Sequence, residues 1–401
     1  MNFLDAIANL ISACYHLYVL GEQEARRFIE SALSQTKDYQ EIFIPKKDGG
    51  ERKVLIPQND LKQLQGIVIN WLKSIWPNYN GFMLYGFGHT SADFEKGSHV
   101  DYARWHSGSN WFWQADIKDA FPSANIKKLK KTIYRQFMRG VCLFQEKRHG
   151  EKNKATQFPF PVLFLEDSPE ISILADPQEI GALAELIIKI TTFDGILPQG
   201  APSSPFLFCI SLLEDPNEPE IWLSNYRLPN GVWSRVLQKI HRETKGLIIS
   251  GYIDNICISC STPYYPLRYF GTPQKMHGIP SWVKNMVIDE FAKSEFTLHK
   301  IVETDFRQGS PNLCGLHIAE TPPYRRQIVL PKKEIHQIRG LIYNWSKTTN
   351  PQEARKILGL INSMRMVYGS SFGDSFDTFP PQIKNLIDKI GFQNIVKAAS
   401  L

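Results

Sequence analysis

The stretch Leu247-Ile-Ile-Ser-Gly-Tyr-Ile-Asp-Asn-Ile-Cys-Ile-Ser-Cys260 reads as two apolar, β-branched arms, Leu247 to Tyr252 and Ile256 to Cys260, around Asp254-Asn255. Such arms joined by two polar residues predict a β-hairpin with Asp254-Asn255 at its tip. In isolation the pair is an ordinary turn signal, because Asx residues favour turns. A second strand of similar character, Trp111-Phe-Trp-Gln-Ala-Asp-Ile117, stays aromatic and apolar up to Asp116 near its end. Packing is a poor reason for either carboxylate. If both strands lie in one sheet, two acids meet at its edge. One or two carboxylates plus substrate phosphates are the ligands Mg²⁺ takes, and two ions so held stabilise the attacking and leaving oxygens of phosphoryl transfer.

Nearer the N-terminus, Glu41 to Pro57 holds two short β-type runs joined by Asp48-Gly49-Gly50, a second hairpin signal. Helical spacing follows in Leu61, Leu64, Val68, Leu72 and Ile75, with Asn59 or Asp60 as cap. Further helices are expected over Asn125 to Gly140, Glu179 to Ile190, Phe206 to Leu213, Val283 to Phe296, Lys332 to Trp345 and Asn350 to Tyr368. The last has Asn350 as N-cap and Pro351 in its first turn. Leu313 to Ala319 reads as a strand, and Lys147 to Pro177 as an elaborated surface segment.

The 401 residues, 43% hydrophobic and 12% aromatic, provide ample core and exclude a disordered chain. No apolar run reaches the ~20 residues of a membrane span, and Met1 to Leu20 does not read as a secretory leader. A soluble, cytoplasmic protein without membrane partners is the expectation. Six cysteines do not form a disulfide scaffold, and Cys257-x-x-Cys260 reads as buried strand residues. Of the net charge of +6, Lys127 to Lys154 holds 10 Lys/Arg against 2 Glu, and Arg325 to Lys356 holds 8 against 2. Two basic stretches on an otherwise acidic body point to a polyanion held at particular places, although solvated helix faces also look like this.

The loop Ile196-Leu-Pro-Gln-Gly-Ala-Pro-Ser-Ser-Pro205 is punctuated by Pro198, Pro202 and Pro205, which exclude a regular ladder or helix. Gly200 lets the backbone approach a ligand closely, and Gln199 offers a donor and an acceptor. Such a loop can bear on a base pair without reading its sequence; a rigid helix-entry loop is the plainer reading. Arg52, with Lys47 nearby, sits where a hairpin can fold over a triphosphate, and Arg suits bidentate phosphate contact.

In order along the chain, these residues resemble the motifs of reverse transcriptases, particularly the bacterial retron and group II intron-like lineage. Lys46-Lys-Asp-Gly-Gly-Glu-Arg-Lys-Val-Leu-Ile-Pro57, followed by Leu61-Lys-Gln-Leu-Gln65, is similar to the fingers motif. Ala115-Asp-Ile-Lys-Asp-Ala-Phe-Pro-Ser-Ala-Asn125 resembles the first palm motif, Ile196 to Pro205 the Leu-Pro-Gln-Gly-x-Pro-x-Ser-Pro motif, and Gly251-Tyr-Ile-Asp-Asn255 the Tyr-x-Asp-Asp hairpin. Tyr85-Gly-Phe87 and Leu313-Cys-Gly-Leu316 match weaker positions. Asn-Ala-x-x-His, a retron feature, has no clear counterpart; His99 or His106 stands nearest.

The resemblance implies an α+β right-hand polymerase with fingers, a palm of antiparallel sheet plus helices, and a helical C-terminal thumb. The divisions would be N-terminal helices and fingers over 1–110, palm over 111–135, a fingers insertion over 136–195, palm over 196–321 and thumb over 322–401. Asp116 and Asp254 would bind two Mg²⁺ ions with the backbone carbonyl of Ile117, and Mn²⁺ would be an acceptable substitute. Asp119, Ala120 and Phe121 would line the sugar pocket, where a bulky ring leaves no room for a 2′-OH. Arg52, Lys47, Gln199 and Gly200 would hold the nucleotide, and Lys300 would face the leaving pyrophosphate. Tyr252, Pro198, Lys332, Lys333 and Arg339 would contact nucleic acid.

The implied reaction is RNA-directed DNA synthesis from dNTPs on a template or structured non-coding RNA, in a retron-like antiphage role, with an effector protein as a further partner. Template-independent or protein-primed synthesis is one alternative. A catalytically impaired RNA-binding scaffold is another, because Asn255 stands where the family has a second Asp and contributes one oxygen but no charge.

Overall fold

Period-two alternation in Trp111–Ile117 places Trp113, Ala115 and Ile117 in one hydrophobic cluster and Phe112 in another. A strand buried on both faces is therefore a divider between two cores. The computed structural model describes residues 22–45, 49–75, 83–86, 98–150, 177–213, 215–217, 221–223, 226–228, 231–243, 247–261, 278–321, 325–369 and 376–400.

Helix α1 (Glu22–Ser34) leads to strands β1 (Tyr39–Pro45) and β2 (Glu51–Pro57), helix α2 (Asn59–Ile75), β3 (Met83–Gly86) and α3 (His99–His106). Then come β4 (Trp111–Ile117), the short α4 (Ala120–Ser123), α5 (Ile126–Gly150), α6 (Pro177–Thr191) and α7 (Ser204–Leu213). β5 (Ile221–Leu223) and β6 (Tyr226–Leu228) precede α8 (Val232–Glu243), β7 (Leu247–Tyr252), β8 (Asn255–Cys260), α9 (Ser281–Lys293) and β9 (Leu298–Asp305). β10 (Asn312–Leu313), β11 (Leu316–Thr321) and β12 (Arg325–Val329) are followed by α10 (Lys332–Thr348), α11 (Pro351–Tyr368), α12 (Pro381–Ile390) and α13 (Phe392–Ser400).

The architecture is mixed α+β with antiparallel sheets. The central sheet runs β3-β7-β8-β4-β9, and β10-β11-β12 forms a smaller one. One face of the central sheet packs on α2, α5, α6, α7, α8 and α9 through Ile249, Ile256, Ile258 and Trp113. The other carries α3, the small sheet and the C-terminal helices, with Cys257, Tyr102, Leu313 and Ile338 buried between them. Burying a large apolar side chain contributes about 1.5–3 kcal/mol, so the many Ile, Leu, Phe and Trp side chains in both clusters fix the sheet firmly. Helix α10 seats Ile338, Ile342 and Trp345 inward at helical spacing. Trp345 is thus a core residue, its Nε1 donating to the Asn350 carbonyl over 3.0 Å, whereas Tyr343 is exposed beneath the Lys347 ammonium. Among the described residues no helix is long and apolar enough to cross a membrane.

Several elements depart from the sequence expectation. The basic helix α5 runs to Gly150 rather than ending at Gly140, because an interior Gly costs only about 1 kcal/mol relative to Ala and no proline follows nearby. Residues 151–176 of the expected surface segment lie outside the described residues. The expected strand over Leu313 to Ala319 is extended at Leu313 and again from Leu316, but it is interrupted by a tight turn at Cys314-Gly315. Cys314 and Gly315 adopt φ of +52° and +87°, Leu313 pairs with Leu316, and the Asn312 Oδ1 accepts from the Gly315 N–H over 2.8 Å. Residues 325–329, placed by the sequence in a helical C-terminal unit, form a strand paired with β11.

Candidate functional site

Strands β4 and β8 pair so that Asp116 lies opposite Asn255, and the Ile117 N–H donates to the Asp254 carbonyl over 2.8 Å. Two carboxylates far apart in sequence thus stand at the same end of adjacent strands, as the sequence required. Asp116 is about a third exposed and Asp254 is half-buried. Burial pushes the Asp254 carboxyl above the ordinary carboxylate range. A hydrogen bond from its own backbone opposes that rise, the Asp116 charge adds to it, and Arg52 and the Asn255 amide pull it back.

The hairpin tip is displaced by one residue from the expected one. Ile253 and Asp254 make the turn, and Asn255 is already a strand residue paired with Tyr252. Ile253 adopts φ of +57°, a left-handed conformation that a β-branched residue rarely takes. Such a conformation costs about 1–3 kcal/mol and persists only where the surroundings over-determine it. The gain is that Asp254 projects from the turn while Asn255 stays in the ladder. From there the Asn255 Nδ2 donates to Asp254 Oδ1 over 2.9 Å. Gly251 is required by close packing, because a Cβ there would press into the Trp233 ring.

Lys300 stands on the edge strand β9 at a bulge, where the register slips between Gln114 and Asp116 and Lys300 itself has φ of +48°. The bulge aims its Nζ at Asp116 Oδ2, 3.2 Å away. Arg52 is exposed on β2, paired across the hairpin with Ile44, and its charge acts on Asp254. Lys47 lies outside the described residues.

The proline-rich loop docks on that same hairpin. The Leu55 N–H donates to the Gln199 carbonyl over 2.6 Å. Gly200 has φ of +114°, and a Cβ there would lie 2.5 Å from Val54 Cγ1 and 2.8 Å from the Leu55 carbonyl oxygen. Among the described residues, the close approach that Gly200 permits is to strand β2. Pro198 is buried, with its carbonyl accepting from Ser204 Oγ over 2.7 Å, so it braces the loop. Gln199 is half-buried and Gly200 exposed. Asp119 is exposed at φ of +47°, Ala120 is buried, and the half-buried Phe121 meets the Phe208 ring edge-on at 5.7 Å between centroids.

Tyr252 is half-buried, its ring 6.1 Å from His99 and 6.0 Å from Tyr102, and burial pushes its phenol up to about 12. Lys332, Lys333 and Arg339 are exposed on α10. The first turn of that helix lies close enough to α3 for Glu334 to act electrostatically on His99. No sequence motif marks Ser250 and Ser259, which bind His106. Their only signal is that they interrupt otherwise apolar strands.

The donor set suits a hard cation: two carboxylates and a neighbouring carbonyl, one carboxylate open to solvent. A thiolate metal does not fit. Burial pushes the Cys209 and Cys314 thiols to about 12 and Cys257 well above its ordinary value. Among the described residues no three His, Cys, Asp or Glu side chains cluster as a closed metal cage. Compared with known protein families the chain matches no family model, and no curated protein matches it.

Proposed function

We propose that the chain is an RNA-directed DNA polymerase resembling the retron and group II intron-like lineage, with the central sheet as palm, the β1–β2 hairpin as fingers and the C-terminal helices as thumb. A primer 3′-OH attacks the α-phosphate of a dNTP, the new phosphodiester forms, and pyrophosphate leaves. The observation that carries this reading is the meeting of Asp116 and Asp254 on adjacent strand ends, beside Lys300 and within electrostatic reach of Arg52. Asp116, Asp254 and the Ile117 carbonyl are the groups to hold Mg²⁺, which when bound supplies charge stabilisation to the attacking and leaving oxygens.

The chain's own residues then have defined tasks. Arg52 meets the triphosphate, Phe121 closes the space beneath the sugar, and Gln199 bears on the nascent base pair. Lys300 gives up Asp116 for the departing pyrophosphate. The exposed cations Lys332, Lys333 and Arg339 grip duplex phosphates without regard to sequence, a contact that weakens steeply with salt.

The test is dNTP incorporation by the purified protein with its co-purified RNA, and with an added RNA template and DNA primer. Incorporation that disappears in Asp254→Ala and Asp116→Ala supports the reading. Extension by either variant at the wild-type rate overturns the metal assignment. Incorporation independent of any template identifies the template-independent activity instead, and retention of RNA without incorporation identifies a scaffold.

A further inference from the structure

His106 is wholly buried at the end of α3 and touches both strands of the Asp254 hairpin. Its Nε2 lies 2.5 Å from Ser250 Oγ on β7 and its Nδ1 lies 2.6 Å from Ser259 Oγ on β8. Ser109 Oγ, 2.8 Å from Ser259 Oγ, extends the chain of hydroxyls, and all four side chains are excluded from solvent. A neutral imidazole has one donor and one acceptor, and seryl hydroxyls rotate to suit either, so both tautomers satisfy the network. Ser250 and Ser259 share the sheet face of Tyr252 and Asn255 by strand parity, so the ring sits beneath the hairpin that carries Asp254.

The rest of α3 acts in the same place. The Tyr102 ring lies edge-on to His106 at 5.5 Å and 6.0 Å from Tyr252, and His99 closes on Tyr252 from one turn earlier. Helix α3 is anchored by a reciprocal cap between Ser98 and Asp101. It therefore presents a rigid shelf under β7, directly before the turn residue Ile253 with its left-handed backbone. A turn held against its own preference needs such a shelf.

We infer that His106, clamped between Ser250 and Ser259, is a positioning residue that holds the Tyr252-Ile253-Asp254 turn in the shape that presents the Asp254 carboxylate to a divalent cation. The inference rests on the proposed metal-dependent reaction and names what holds its ligand in place. It predicts an effect on metal affinity and turnover more than on nucleotide affinity. Groups that orient metal ligands typically cost about 10–100-fold in metal affinity or activity when removed.

The test compares wild type with His106→Leu, His106→Gln, Ser250→Ala and Asp254→Ala. Mn²⁺ affinity is read by electron paramagnetic resonance, kcat and KM for dTTP on a poly(rA)–oligo(dT) template, and the folded fraction by thermal melting. His106→Leu should weaken Mn²⁺ binding and lower kcat about tenfold or more, with KM for dTTP within about twofold. His106→Gln, which keeps a donor and an acceptor, should restore part of both. Wild-type Mn²⁺ affinity and kcat in folded His106→Leu would overturn the inference, as would a kcat loss matching only a loss of folded protein. If His106→Leu does not fold, Ser250→Ala decides by the same pattern at smaller size. If the wild type binds Mn²⁺ through Asp254 but incorporates no dTTP, the polymerase reading fails and the Mn²⁺ titration alone decides the positioning claim. Equal Mn²⁺ binding by wild type and Asp254→Ala overturns both.

Discussion

The Asn255 amide donates to Asp254 Oδ1 over 2.9 Å, so the residue beside the half-buried carboxylate serves it as a donor. The amide orientation follows from chemistry, since an oxygen there would face a carboxylate oxygen. A hydrogen bond to a charged group contributes about 1.5–3 kcal/mol. Asn255→Ala should accordingly lower metal-dependent turnover roughly tenfold or more. Asn255→Asp gives up the donor for a second charge, so it should preserve or raise activity at saturating Mg²⁺ while changing the Mg²⁺ concentration for half-maximal rate. Initial rates over a Mg²⁺ series check both, and unchanged half-saturation in Asn255→Asp would count against the contact.

Lys300 and Asp116 form an ion pair exposed to solvent, the kind that contributes about 0.2–1 kcal/mol. Removing the competitor should tighten metal binding in the absence of nucleotide by about 1.4- to fivefold. Lys300→Met should show that gain in a Mn²⁺ titration while losing turnover, because the cation proposed to meet pyrophosphate is gone. A variant that changes neither quantity would leave Lys300 without a role in the site.

Gly200→Ala tests the docking of the loop on β2. The new methyl group meets Val54 and the Leu55 carbonyl and also forces an unfavourable φ, each of which destabilises by about 1–3 kcal/mol. The melting temperature should fall, and hydrogen exchange at the Leu55 amide should accelerate as its bond to Gln199 opens. Unchanged protection at Leu55 would show that the loop tolerates the side chain by another route.

Phe121 is half-buried and packs edge-on against Phe208. Phe121→Ala should reduce the preference for deoxy- over ribonucleotides by about ten- to a hundredfold, the reach of a pocket contact of about 1–3 kcal/mol. The ratio of kcat/KM values for dNTP and rNTP measures it directly. An unchanged ratio would place the sugar check elsewhere.

Acid should destabilise the fold in two overlapping stages. Burial lowers the His106 imidazole from 6.5 to about 3, so the folded chain keeps it neutral while the unfolded chain protonates it. The unfolded state then binds the extra proton, and stability falls as pH drops from 6.5 toward 3, on the order of 5 kcal/mol in all for this group. Glu290 acts lower. Its burial raises the carboxyl, but Lys239, Lys293 and Arg235 overcome that and bring it from 4.5 to about 2, so its contribution is lost as pH falls through that range. Melting at a series of pH values checks the order, and His106→Gln should flatten the upper stage alone.

The legible parts were those where one physical signal dominates. Strand β4 alternates between two cores and ends in an acid, the β7–β8 arms are β-branched, and α11 has Asn350 as N-cap, its Oδ1 accepting from the Gln352 N–H, with Pro351 in the first turn. Strand β9 escaped notice because an edge strand has no buried face to pattern: Ile301 and Val302 are 46% and 52% exposed. The turn at Ile253-Asp254 was misplaced by one residue because Asn is the better turn former, and tertiary packing overrides that preference. Gly200 between prolines signals a close approach, but nothing local to it reveals that strand β2, more than a hundred positions earlier, is what approaches.

That same junction has a mechanical consequence. With the Leu55 amide bonded to the Gln199 carbonyl, hairpin and loop form a single lever. Any swing of the hairpin drags the loop with it, so under the proposed polymerase reading seizing a triphosphate and inspecting the pair it forms would become one stroke, and a monomer rejected by either surface would be released by both.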